Sequence, residues 1–246
     1  MIIYANGDSV VAGTELIDES IPGFPGYYTD LPDATTIAKN FEWKNKFPFP
    51  DRDKELELSF PNRIAKHFGI EVRNDSQPGA SIERIVRNTI VDLLFLKKSH
   101  KQIIAIVGNT EPQRFALPNG TDQWQNHFLT IPSKDRHVSN VQKFKLEYET
   151  HYHRELKFFE YIILLKDFCK VNNIDLYLVD TLIYPFFNPE SYDLGLFKEY
   201  ANIDYACSLA DLSKRVGEAF CPQGHYSKHV HDLASRKLIK ILETKL

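Results

Sequence analysis

The 246-residue sequence predicts an α/β domain of three layers, α/β/α, built on a mostly parallel sheet. Three observations carry that expectation. Residues 2–5 (IIYA), 102–107 (QIIAIV) and 174–179 (IDLYLV) are short apolar runs of the kind that form strands covered on both faces. Segments with apolar residues at helical spacing lie between them. Strand–helix alternation of this kind closes into a parallel sheet with helices on both faces.

Taken in order, the first strand ends at the turn formers Asn6-Gly7-Asp8, which leaves Ser9 just past its carboxyl end. Residues 14–58 are irregular, with Pro22, Pro25, Pro32, Pro48 and Pro50 among aromatics; an insertion this long is often a lid or binding loop. Its aromatics either stack on a ligand or pin the loop to the body. Ser59 caps a helix with Pro61 in its first turn, Ile64, Ala65 and Phe68 on its inner face, and Gly69 as its stop. Residues 70–74 read as the second strand and 77–80 as a turn. Ser81 caps a longer helix carrying Ile82, Ile85, Val86, Ile90, Leu93 and Leu94.

The strand at 102–107 ends at Gly108-Asn109-Thr110, and a second insertion, about 111–144, carries Trp124, His127 and Phe128. A long helix is expected over 145–171, and its apolar stretch 158–165 implies burial nearly all round. Residues 174–179 form the next strand, ending at Asp180, and 181–204 is irregular and aromatic. A short helix over 208–216, the turn 221–225 and a last helix over 227–242 complete a single domain spanning 1–246.

Composition narrows the function classes. A hydrophobic share of 43% supplies the core of one large domain. The net charge of −3 is spread over interspersed acids and bases, so no nucleic-acid-binding surface is expected. Cys169, Cys207 and Cys221 are widely spaced and odd in number, which suggests neither a disulfide framework nor a zinc knuckle and fits a reducing compartment. No apolar run approaches the ~18 residues that cross a bilayer. The first apolar run is also too short for a signal peptide and lacks a basic leader. A cytoplasmic protein without a membrane partner is expected. His225, His229 and His231 lie close together, but no acidic or cysteine partner accompanies them. His229 and His231 read as a solvated or substrate-facing helix start, and no metal or other cofactor is expected.

Ser9, Gly79, Asn109, Asp180 and His225 all fall in or beside strand-to-helix connections, which share one rim of a parallel sheet. Acyl transfer from an ester needs a nucleophile, a base and donors for the developing oxyanion. Ser9 is the candidate nucleophile and His225 the candidate base. The backbone N–H groups of Ser9 and Gly79 and the Asn109 amide are candidate donors; a glycine at 79 lets backbone approach substrate without a Cβ in the way. Asp8, Thr110, Glu111 and Arg114 lie near the same rim, as substrate contacts or as structural pairs. The elbow Gly-x-Ser-x-Gly is not met, because Val11 stands two residues after Ser9.

The order of Gly7-Asp8-Ser9, Asn74 through Pro78-Gly79-Ala80-Ser81, Gly108-Asn109 and Gly224-His225-Tyr226-Ser227 resembles the SGNH (GDSL-like) hydrolase family. The likeness runs from Met1 to about Leu242, with both insertions outside the motifs. The stretches GDSVVAGTEL, SFPNRIAKHFGIEVRN, PGASIERIVRNT and GHYSKHVHDLA also resemble SGNH-type proteins encoded by tailed bacteriophages. The resemblance implies a flavodoxin-like SGNH hydrolase fold, Ser9 as nucleophile, Gly79 and Asn109 as oxyanion donors, and His225 as base. It further implies an aspartate three residues before the histidine, where this chain has Pro222. Either a backbone carbonyl orients His225, or a carboxylate from elsewhere does so, with Glu218 and Asp180 as candidates. The implied activity is hydrolysis of a small acyl ester, such as an O-acetyl group on a glycan. The alternatives are a catalytically decayed glycan-binding or virion/host-interaction protein, and an acyltransferase using the same site. The residues do not indicate an oligomeric state.

Overall fold

A computed structural model of the chain describes residues 1–13, 16, 52–77, 79–112, 114–118, 124–128, 151–182, 203–216 and 225–246. The elements are β1 (Ile2–Asn6), α1 (Arg52–Leu58), α2 (Phe60–Phe68), β2 (Glu71–Asn74), α3 (Ile82–Leu96), β3 (Ile103–Gly108), β4 (Arg114–Pro118), β5 (Trp124–Phe128), α4 (His151–Val171), β6 (Asp175–Asp180), β7 (Cys207–Ser208), α5 (Leu209–Val216) and α6 (Lys228–Glu243).

Five strands form a parallel sheet in the order β2-β1-β3-β6-β7. Counted along the chain, that is the doubly wound order 2-1-3-4-5, whose direction reverses between β1 and β3. The α/β architecture with a parallel central sheet is therefore as the sequence predicts. The pleat sorts β1 to two sides. Ile2 and Tyr4 join Ala105, Val107 and Leu178 under α3 and α4, among Ile85, Val86, Phe159 and Ile162. Ile3 and Ala5 join Ile104, Ile106 and Val179 on the other face, among Phe60 and Ile64 of α2 and Val230 and Leu238 of α6.

Some elements depart from expectation. Residues 52–58, read as the tail of an irregular insertion, are the helix α1. The second insertion contains an antiparallel ribbon, β4 paired with β5, which the sequence reading did not foresee. The two-residue strand β7 was also missed, since Cys207 and Ser208 are too few to show a period. The long helix begins at His151 among the described residues. It buries Phe158, Phe159, Ile162, Leu165 and Cys169, whereas Leu164 stays 51% exposed, so its apolar stretch is one-sided rather than buried all round. The proline-rich loop through residue 51, apart from residue 16, and the aromatic stretch from 183 lie outside the described residues.

Candidate active site

The turn after β1 is built by its neighbours. Asn6 Oδ1 accepts the Gly7 N–H at 2.8 Å, and its amide donates to Thr89 Oγ1 and to the Ile85 carbonyl of α3. The backbone then coils, with Ala12 N–H on the Asp8 carbonyl and Gly13 N–H on that of Val10. Val11 lies over Gly7 and Gly108, and a Cβ on either glycine would overlap its side chain. The result is a rigid turn at the switch point of the sheet, with Ser9 in its first half.

His225 enters from the other end of the chain. It precedes α6, whose cap is the Ser227 hydroxyl accepting the Val230 N–H at 3.2 Å. Beside it, the Tyr226 hydroxyl donates to the Leu182 carbonyl at 3.0 Å, tying this segment to the chain that leaves β6. Across 216 residues of sequence, His225 Nε2 and Ser9 Oγ lie 2.8 Å apart. For the serine to donate, Nε2 must be the unprotonated nitrogen, the tautomer that general-base chemistry requires.

Gly79 sits on the continuation of β2, which runs beside the turn that carries Ser9. The Asp75 N–H donates to the Ala5 carbonyl at 2.9 Å and the Gln77 N–H to the Gly7 carbonyl at 3.0 Å. Gly79 itself has φ +76°, a left-handed conformation that a residue with Cβ adopts only under strain.

Asn109 closes the third side, and its orientation is fixed by what it accepts. Its Oδ1 takes the Thr181 N–H at 2.7 Å, which forces Nδ2 toward Asp180 Oδ1 and the Tyr205 hydroxyl, each at 3.0 Å. Both amide hydrogens are engaged there, so donation to a substrate requires one of those bonds to be exchanged. Asp180 also accepts from Leu182 N–H and the Ser208 hydroxyl. Its described bonds thus hold the β6–β7 edge and none is to His225. Glu218 and Pro222 lie outside the described residues.

Asp8, Thr110, Glu111 and Arg114 come together as a cluster at the turn that carries Ser9. Asp8 is buried; its Oδ1 accepts the Val10 N–H at 2.9 Å, and Oδ2 faces Arg114 Nη1 at 3.3 Å and the Thr110 hydroxyl at 3.5 Å. Arg114 Nε reaches Glu111 Oε2 at 3.4 Å. Burial pushes the Asp8 carboxyl above its ordinary range, against the opposing pull of Arg114, the Val10 N–H, His225 and Thr110. Burial raises Glu111 as well, opposed by Arg114 and reinforced by Asp8. Arg114 opens β4, so this cluster also ties the ribbon to the turn that carries Ser9.

One histidine is not where its sequence suggested. His229 is exposed, but His231, expected at a solvated or substrate-facing helix start, is only 1% exposed. Its Nδ1 accepts the Phe60 N–H at 3.3 Å, and burial, then the Arg63 and His225 charges, pulls it down to about 3. Sequence reasoning also missed Tyr205 and Thr181 as the partners that orient Asn109. Polar residues on an irregular stretch carry no signal of burial. Among the described residues no group of His, Cys, Asp or Glu side chains is disposed to hold a metal, and no helix is long and apolar enough to cross a membrane.

No protein-family model matches the chain, and no curated protein sequence does. Among solved structures, it is similar to a G-D-S-L family protein from Desulfitobacterium hafniense DCB-2, with 16% identity, TM-score 0.49 and 98% of each chain covered. It is also similar to a member of the lipolytic protein G-D-S-L family from Veillonella parvula DSM 2008, with 10% identity, TM-score 0.47 and 100% of each chain covered. An acetyl xylan esterase from Butyrivibrio proteoclasticus matches with 12% identity and TM-score 0.43, over 99% of this chain and 63% of the other. Identities this low assign no activity to the chain.

Proposed function

We propose that the chain is a serine ester hydrolase acting on a small acyl ester, with an O-acetylated glycan as the substrate class, and needing no cofactor. The observation that carries this reading is the 2.8 Å contact between Ser9 Oγ and His225 Nε2 at the carboxyl rim of the sheet. Ser9 Oγ attacks the ester carbonyl while His225 Nε2 takes its proton. His225 then returns the proton to the leaving alkoxide, which departs as an alcohol and leaves an acyl-Ser9. Water, deprotonated by His225, attacks the acyl carbon; the carboxylic acid leaves and Ser9 Oγ recovers the proton. The Ser9 and Gly79 N–H groups are the oxyanion donors, Gly79 lying two residues after Gln77, whose N–H is bonded to the Gly7 carbonyl of the nucleophile turn. Asn109 joins them by exchanging its bond to Tyr205 or Asp180.

The test is labelling by a fluorophosphonate probe together with hydrolysis of p-nitrophenyl acetate. Wild type is expected to label and turn over, and Ser9→Ala and His225→Ala to lose both while keeping the wild-type circular dichroism spectrum. Folded wild type that neither labels nor turns over p-nitrophenyl, longer-chain or sugar esters rejects the reading. Pro222, where the resembled family has aspartate, then favours a non-catalytic glycan-binding protein on the same fold.

A further inference from the structure

The start of α2 grips both halves of the proposed Ser–His pair. Ser59 occupies its N-cap position, but the hydroxyl does not cap the helix: it donates to the Leu56 carbonyl at 2.6 Å and accepts from Asn74 Nδ2 at 3.3 Å. Asn74 Nδ2 also lies 3.5 Å from the Val11 carbonyl, inside the nucleophile turn. Gly13, which ends that turn at φ +73°, lies so close to Ser59 and the Glu55 carbonyl that a Cβ there would meet both. The first N–H of the helix, on Phe60, goes to His231 Nδ1 at 3.3 Å, with the two rings in tilted contact at 5.6 Å. His231 sits in the first turn of α6, where its own N–H donates to the Ser227 carbonyl at 3.1 Å, two residues beyond His225. An ion pair between Arg63 of α2 and Asp232 of α6 reinforces the junction.

We infer that His231 is a positioning residue for Ser9 and His225. By accepting the Phe60 N–H it locks the segment bearing the base to the same helix start that holds the nucleophile turn. The inference rests on the esterase reading for its kinetic consequence and on geometry alone for its structural one. A buried helix N-terminus must find an acceptor for its first N–H groups, and here the acceptor comes from the helix that follows the base. Only an unprotonated Nδ1 can serve, and the buried ring is held neutral.

The test compares His231→Asn, whose amide oxygen falls near the place of Nδ1, with His231→Gln, whose oxygen falls farther out. Both are neutral and polar. Two measurements are made on folded protein: kcat and KM for p-nitrophenyl acetate, and the imidazole 15N chemical shifts of His225 at one fixed pH, with and without Ser9→Ala. The Gln variant is expected to lower kcat at least about tenfold with KM within about twofold, because small displacements of reacting groups cost that much, while Asn stays within about threefold of wild type. Ser9→Ala is expected to move the His225 Nε2 chemical shift in wild type and in the Asn background alike, by loss of the Ser9 contact, and far less in the Gln background. A Gln variant that does not fold is replaced by His231→Met, which also lacks the acceptor. Asn and Gln (or Met) behaving alike in both measurements overturns the inference. Wild type that shows the Ser9-dependent 15N chemical shift but no turnover would remove the esterase reading and leave the positioning role to be decided by that chemical shift.

Discussion

The amide nitrogen of Asn109 donates to Asp180 Oδ1 at 3.0 Å, so the residue at the end of β3 is first a clamp on the end of β6. Its second hydrogen is on the Tyr205 hydroxyl, and its oxygen holds the Thr181 N–H. Asn109→Ala strands Thr181 N–H and removes a donor from Asp180. It should therefore lower stability by about 1–3 kcal/mol for each group left unpaired, besides any effect on rate. Tyr205→Phe separates the two roles, since it releases one amide hydrogen and keeps the Asp180 clamp. If the amide serves the oxyanion, Tyr205→Phe keeps or raises kcat while Asn109→Ala loses about 10²–10³ of it. Urea unfolding and p-nitrophenyl acetate kinetics on the two variants decide between them.

The Asp8–Arg114 pair predicts a pH-dependent mutant. Arg114→Leu leaves Asp8 buried without its guanidinium and should cost about 3 kcal/mol at pH 7.5. The folded-state pKa of Asp8 is raised above the unfolded value, so the folded chain takes up a proton before the unfolded chain does as pH falls. The loss in Arg114→Leu should accordingly shrink between pH 7.5 and 5.5. Adding Asp8→Asn, which removes the charge, should recover most of it at pH 7.5. Urea midpoints for the two single variants and the double at both pH values check this; a loss that grows on acidification would contradict it.

Much of the sheet was legible in the sequence because continuous apolar runs such as 102–107 have one stable use in a chain of this size. The helix starts at Ser81 and Ser227 were legible for the same kind of reason: each hydroxyl accepts the N–H three residues on. Ser59 looked the same in sequence, yet its hydroxyl donates to the Leu56 carbonyl and accepts from Asn74, while the first N–H of that helix, on Phe60, goes to His231, 171 residues further along the chain. Contacts of that kind have no local signature. Likewise, the partners of Asn109 lie 71 and 96 residues away, so spacing could place Asn109 at the rim without showing which way its amide points. The β4–β5 ribbon escaped notice because Arg114, Ala116 and Pro118 do not mark out a clean alternating strand.

His231 should also leave its mark on acid stability. Its pKa is about 3 in the folded state against about 6.5 when unfolded, so between those values the unfolded chain binds a proton that the folded chain refuses. Stability from this group is therefore lost as pH falls through that window, by about 2 kcal/mol between pH 7 and 5. His231→Asn removes the titrating group while keeping an acceptor. Its urea midpoint should change less over that range than that of wild type; parallel pH dependence in the two proteins would place the acid sensitivity elsewhere.

Val11 and Gly108 are coupled by contact. A Cβ at 108 would overlap the Val11 side chain and come to 2.9 Å from Thr181 Cγ2. The first residue belongs to the turn that carries Ser9, and the second directly precedes Asn109 and abuts Thr181, so the collision would push on both sides of the site at once. Gly108→Ala should lose about 1–3 kcal/mol of stability and a larger share of kcat than that loss alone explains. Val11→Ala, which leaves a small cavity in a fully buried position, is destabilising by itself. Together the two should cost less than the sum of the singles, because the removed methyls make room for the added one. A thermodynamic cycle on the four proteins, with kcat recorded for each, measures that interaction. Simple additivity would mean that the turn yields to the new methyl by moving as a whole, and that Ser9 is held less rigidly than its packing over Gly7 and Gly108 requires.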